Sequence, residues 1–182
     1  MPPTLLAPGG KFPSIKLALA SGGECDLAFV APGQHKLIVV YRGSFCPFCT
    51  GTLKQLEAKA AALAAAGVAV VAVSADDAAT TAAFRAVQGL TLTSIAVGLG
   101  EAQARQIGVF VSDPTHYIAQ KHRFAEPAYF VLNDAGEIRY SCVSSHPMGG
   151  RADVDAIIAG LGWVKQNSID HPEFKAVTWG SA

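Results

Sequence analysis

An α/β domain with a central mixed sheet flanked by helices and an N-terminal β-hairpin is the fold class the sequence predicts. Three observations predict it. Residues 36–41, apolar after Lys36, and residues 68–73 are continuous runs separated by a helix-forming stretch. Residues 128–132 and 137–143 are strand-like runs joined only by Asn133-Asp134-Ala135-Gly136. Val154, Ile157, Ile158 and Leu161 then follow at helical spacing. The first pattern implies a parallel, right-handed crossover and the second an antiparallel pair. The chain has 182 residues, no internal repeat and no linker, so one domain spanning residues 1–182 is expected.

Each element has a local reason. Residues 1–13 are rich in Pro and Gly and form an irregular leader. Residues 15–20 and 25–30 alternate apolar and polar positions around Ser21-Gly22-Gly23-Glu24, which predicts a hairpin. The runs at 36–41 and 68–73 lack alternation, the mark of strands covered on both faces. Between them, residues 50–66 are good helix formers, with Leu53, Leu56, Ala60 and Leu63 on one face and Gly67 as the stop.

Ser74-Ala75-Asp76-Asp77 has capping-box spacing and opens a helix over 77–87. A short strand is expected at 94–97 and a short helix at 101–107. Residues 108–123 carry no clear period, and Asp113-Pro114-Thr115 is a turn signal. The last helix is expected over 152–166. Residues 167–182 are read as a tail holding Phe174 and Trp179, packed on its own domain.

Composition excludes several classes. Fourteen basic residues balance fourteen acidic ones, and no dense Lys/Arg run occurs, so neither nucleic acid nor an anionic membrane surface is an expected partner. The apolar stretch over 60–73 is divided by Gly67 and is shorter than the ~18 residues of a spanning helix. Met1-Pro2-Pro3-Thr4 lacks the charge and apolar core of a signal peptide, so a cytoplasmic location is expected.

The chemistry concentrates in Phe45-Cys46-Pro47-Phe48-Cys49, between the first buried strand and the long helix. Cys46 comes first, at the helix N-terminus, where free N–H groups and the dipole favour an anion. It is the expected nucleophile. Cys49 lies one turn on, placed to attack whatever Cys46 captures, and is the expected resolving thiol. Pro47 suits the first turn.

A reactive thiol often has a pKa ~2 below the free value of ~8.5, a difference worth about 2.7 kcal/mol. A helix terminus supplies only about 0.3–1 kcal/mol. A second source is therefore required: the Cys49 S–H, a backbone N–H, or a cation such as Arg42 or Arg123. The reading also requires both sulfurs to be reachable from solvent and close enough to bond. Phe45 and Phe48 would wall the site or offer a docking surface.

The element order, the aromatic residue before a Cys-x-x-Cys and the Glu126-Pro127-Ala128 strand entry resemble the thioredoxin fold. Tyr129-Phe130-Val131-Leu132-Asn133-Asp134-Ala135-Gly136-Glu137-Ile138 is similar to the corresponding run of the alkyl hydroperoxide reductase/thiol-specific antioxidant family. Tyr41-Arg42-Gly43-Ser44-Phe45-Cys46-Pro47-Phe48-Cys49 is similar to the motif of its peroxiredoxin-like members that carry Cys-x-x-Cys. The likeness spans residues 10–166 and implies an antioxidant thiol oxidoreductase that needs no cofactor. It also implies a peroxide substrate, an external thioredoxin- or glutaredoxin-like dithiol reductant and, as in many relatives, a homodimer. It places Pro127 at the family's cis-proline.

The departures are specific. Val39 stands where the family has proline, Gly43 where it has Thr or Ser, and Pro127 where it has an arginine. Ser44 lies one position from the expected hydroxyl. These departures favour the first alternative, exchange with protein or small-molecule disulfides. A second alternative is a zinc-stabilised domain, with Cys142 and His146 completing a Cys3His set. A third is a non-catalytic binding module. Cys25 and Cys142 read as inert strand residues. His35, His116, His122, His146 and His171 show no metal or triad spacing.

Overall fold

The structure, a computed structural model, describes residues 6–92, 94–115, 121–149, 151–171, 173, 179 and 180. His116 and Phe174 lie outside the described residues. The chain runs β1 (Lys16–Ala18), β2 (Glu24–Asp26), β3 (His35–Val40), α1 (Pro47–Ala58), α2 (Ala60–Ala65) and β4 (Val68–Val73). It continues with α3 (Ala78–Gln88), β5 (Ile95–Ala96), α4 (Glu101–Gln106), β6 (Val111–Ser112) and β7 (Phe124–Ala125). It closes with β8 (Ala128–Leu132), β9 (Ile138–Val143) and α5 (Val154–Asp170).

The central sheet has the order β5-β4-β3-β8-β9. β3 pairs with β4 in parallel and with β8 antiparallel, so the sheet is mixed, as expected. Side chains alternate across β3. Leu37 and Val39 join Leu53, Leu56, Phe84, Tyr129, Val131, Val154 and Ile157 on one face. Ile38 and Val40 join Phe12, Leu27, Val73, Ile107, Ala125 and Phe130 on the other. Both faces are covered, which is why the run carries no polar alternation. The N-terminal hairpin is present, but only Lys16–Ala18 and Glu24–Asp26 pair.

Three expectations shift. The helix after the cysteines begins at Pro47, not residue 50, because Cys46 takes the extended N-cap conformation (φ −96°, ψ 110°) and Pro47 fits the first turn. It is divided at Lys59 (φ −97°, ψ 3°), whose Nζ pairs with Asp155 at 2.7 Å.

The capping box at Ser74 does not form. Asp77 caps α3 by accepting the Thr80 N–H at 2.7 Å, while Ser74 Oγ accepts the Asp76 N–H.

The last helix extends to Asp170, so residues 167–170 of the expected tail are helical. Asp153 caps it through the Asp155 N–H, and Gly160 and Gly162 do not end it. Trp179, within the tail, is 55% exposed.

The region without a readable period holds β6, which pairs with β7 and fixes Phe124 and Ala125 immediately before Glu126. Among the described residues, no helix is long and apolar enough to cross a membrane.

Candidate active site

Cys46 is held where strand β3 gives way to helix α1. Its N–H donates to Gly43 O at 3.2 Å, and its own carbonyl accepts the Cys49 and Thr50 N–H groups at 3.0 and 3.1 Å. Gly43 has φ +142°, which favours glycine, and a Cβ there would lie 2.9 Å from Asp76 Oδ1. The Asp76 carboxylate accepts the Ser44 N–H at 2.7 Å. The loop entering the cysteine motif is therefore tied to the start of α3.

Two guanidinium groups reach the sulfurs. Arg42 Nη1 lies 4.0 Å from Cys46 Sγ. Its Nε forms an ion pair with Glu126 at 3.2 Å, and that carboxylate is buried. The Arg42 guanidinium carbon stands 4.8 Å from the Phe124 ring and 5.3 Å from Phe45, whose ring meets Phe124 edge-on. Arg151 Nη2 approaches Cys49 Sγ at 3.5 Å and Cys46 Sγ at 4.0 Å.

These contacts supply what the helix dipole lacks. The Cys49 thiol donates to the Cys46 sulfur and is the largest cause holding Cys46 well below the ordinary thiol range. Burial opposes it, and the Cys49 backbone N–H and Arg42 add to it. Cys49 moves the other way: its bond to Cys46 comes first, then burial, and both keep it protonated. One sulfur is thus the anion and its neighbour the donor. Neither cysteine is in a disulfide.

One requirement is not met in this structure. Cys46 is 1% exposed and Cys49 fully buried, so the nucleophile is covered rather than open to solvent. Both belong to the apolar cluster beneath α1, because the helix turns their face inward with Leu53 and Leu56. Of the two aromatic neighbours, Phe45 is half-buried against Phe124, and only Phe48 presents a large surface, at 49% exposed.

The alkyl hydroperoxide reductase/thiol-specific antioxidant family model, AhpC/TSA, matches residues 8–141. The chain belongs to the AhpC/TSA family. Membership makes this AhpC/TSA protein an enzyme of the thiol peroxidase class.

Its fold is similar to solved peroxiredoxins. The reduced 2-Cys peroxiredoxin of Plasmodium vivax superposes with a TM-score of 0.72 at 16% identity, covering 92% of this chain and 86% of that one. Reduced Prx3 of Vibrio vulnificus, in complex with hydrogen peroxide, gives 0.72 at 18% identity over 86% and 99%. A cysteine-to-serine mutant of peroxiredoxin 6 from Arenicola marina gives 0.73 at 16% identity over 90% and 75%. The comparison with curated proteins returned no significant match.

Within this AhpC/TSA site, Cys46, Cys49, Arg42 and Phe45 come together as the sequence suggests. Ser44 contributes its backbone N–H to Asp76. Arg123 does not join them: its Nε donates to Asp113 at 2.6 Å and its Nη1 to Glu101 at 3.0 Å, on the surface.

Pro127 is buried beside Glu126, but its peptide bond is trans, not the cis bond the resemblance implies. Trans is the lower-energy isomer, and Glu126 on its N-terminal side is fixed by Phe110 O and Arg42. The Cys3His set does not assemble, and no three His, Cys, Asp or Glu residues gather as metal ligands among the described residues. Burial pushes the Cys25 thiol up, in keeping with an inert role.

Sequence reasoning missed Arg151, Asp76, Glu126 and Phe124. The adjacent acids Asp76-Asp77 held a signal for one of them. Only one can cap the helix, which leaves the other for a different partner.

Proposed function

We propose that this protein reduces peroxides through Cys46 and Cys49. The Cys46 thiolate attacks the peroxide: an S–O bond forms, the O–O bond breaks, and water or alcohol leaves with one added proton. Arg42 stabilises the thiolate and the charge that develops on the leaving oxygen. Cys49 then displaces hydroxide from the Cys46 sulfenic acid, giving an intramolecular disulfide and water. An external dithiol restores both thiols, and exposed Phe48, next to Cys49 in sequence, offers it an apolar contact.

The contact of the two sulfurs, with Arg42 beside the anionic one, carries this reading. Burial of both sulfurs in the reduced state favours a small oxidant over a protein disulfide, whose own sulfur would have to be placed in line with Cys46. Gly43 favours the second reading, disulfide exchange, because it supplies no hydroxyl to a peroxide.

Stopped-flow mixing of reduced protein with hydrogen peroxide, and separately with a protein disulfide, separates the two. Peroxide is expected to react orders of magnitude faster than with free cysteine. Consumption no faster than free cysteine excludes the peroxidase reading.

A further inference from the structure

We propose that Arg151 is the catalytic cation of the second chemical step, holding Cys49 as a thiolate once Cys46 has been oxidised, while Arg42 serves Cys46 in the first. This rests on the peroxidase reading above.

The two arginines divide the two sulfurs between them. Arg42, at the end of β3, reaches Cys46. Arg151, from the segment between β9 and α5, lies nearer Cys49 (3.5 Å) than Cys46 (4.0 Å). Oxygen acceptors hold its fork in place beside the sulfurs. Nε and Nη2 donate to Pro147 O at 3.1 and 2.8 Å, and Nη1 donates to Thr52 Oγ1 at 3.0 Å. Thr52 lies on α1, one turn beyond Cys49, so the same helix positions the thiol and its cation.

The charges change hands during the reaction. In the reduced state the Cys49 thiol donates to an anionic Cys46, which keeps Cys49 protonated. Peroxide attack turns Cys46 into a neutral sulfenic acid. The anion that held the Cys49 proton is gone, whereas the Arg151 charge remains 3.5 Å away. An opposite charge at such a distance favours ionisation. The Cys49 thiolate then forms the S–S bond, the S–O bond of Cys46 breaks, and the departing hydroxide takes up the proton that Cys49 released. Peroxide has supplied both oxidising equivalents, so no further oxidant is needed. Without this cation a fully buried Cys49 would stay a thiol, and the sulfenic acid would persist long enough to be oxidised further.

Rapid-quench mixing of the full chain with hydrogen peroxide, with thiols trapped and intact mass recorded, gives two rates. Loss of the dithiol mass reports attack, and loss of the sulfenic-acid mass reports closure. Arg151→Gln is expected to slow closure at least about tenfold more than attack and to move the pH midpoint of closure upward. Arg42→Gln is expected to show the reverse imbalance. Arg151→Lys keeps the charge and is expected to restore part of the closure rate.

Attack slowed as much as closure in Arg151→Gln would overturn the proposal. So would an unmoved pH midpoint, or equal slowing by Gln and Lys, which would make the role purely structural. A wild-type chain that forms neither sulfenic acid nor disulfide would defeat the peroxidase reading and this proposal with it. That result is distinguishable because it arises with Arg151 in place.

Discussion

Asp76 accepts the backbone N–H of Ser44 at 2.7 Å, although 32 positions separate the two in sequence. The bond ties the loop that delivers Cys46 to the end of the parallel strand next to it. Asp76 is 1% exposed, so nothing from solvent replaces it. Asp76→Ala is expected to cost about 2 kcal/mol, the range for a hydrogen bond to a charged group. Asp76→Asn keeps an acceptor and is expected to cost less. Urea denaturation of the reduced proteins checks the order. Gly43→Ala is expected to destabilise as well, since its φ is +142° and the new methyl would meet both Asp76 and the Phe45 ring. Equal stability of all four proteins would contradict this role.

Arg42 depends on Glu126 in the same way. The pair is 3.2 Å apart, with side-chain exposures of 16% and 3%. Glu126→Gln removes the compensating charge and is expected to cost about 3 kcal/mol, the scale for breaking a buried ion pair from one side. Glu126→Gln combined with Arg42→Met is expected to recover part of that loss, because no charge is left stranded. Thermal denaturation of the single and double variants completes the cycle. A double variant as unstable as the sum of the singles would show that the two side chains do not act as a pair.

Stability of the reduced protein should follow the thiols. Cys46 has a lower pKa in the folded state than in the unfolded chain. Its contribution is therefore lost as pH falls through the folded pKa. It grows toward the unfolded value of ~8.5, by about 1.4 kcal/mol for each pH unit between the two. Cys49 has a higher pKa when folded, so its contribution is constant below ~8.5 and declines above it. The stability difference between wild type and a double Cys46→Ser, Cys49→Ser variant should thus rise with pH, peak near ~8.5 and fall beyond it. A flat difference from about pH 5 to about pH 10 would remove the paired thiol and thiolate.

Burial of the sulfurs sets a size limit. Relative to free cysteine, Cys46 is expected to react faster with hydrogen peroxide and with a methyl thiosulfonate, and more slowly with a bulky aromatic disulfide reagent. Denaturant should erase the distinction. An aromatic reagent that modifies Cys46 as readily as the small one would show that the cover seen here does not restrict access.

How much of this was legible in the sequence depended on the range of the interaction. Val68–Val73 and Ala128–Leu132 form as expected because a continuous apolar run states its own burial. The Cys46/Cys49 pair was legible for a similar reason: one helical turn joins them. Arg123 was expected at the site from its position near Pro127, yet the chain brings Glu126 inward and leaves Arg123 among surface carboxylates. Arg151 lies more than a hundred positions from Cys46 and follows an irregular segment, where no period marks a side chain's direction. The charges that tune the thiols arrive on loops held by tertiary contacts, and local pattern does not record those.

The central claim is that Cys46 is an anion at neutral pH while Cys49 holds its proton. It is tested most directly by alkylating the reduced protein with iodoacetamide across the pH range and quantifying the Cys46 peptide by mass spectrometry. The account expects a midpoint well below the free-thiol value of ~8.5, Cys46 modified ahead of Cys25, Cys49 and Cys142, and an upward move of the midpoint in Arg42→Gln. A midpoint at or above ~8.5 that Arg42→Gln leaves unmoved would contradict it.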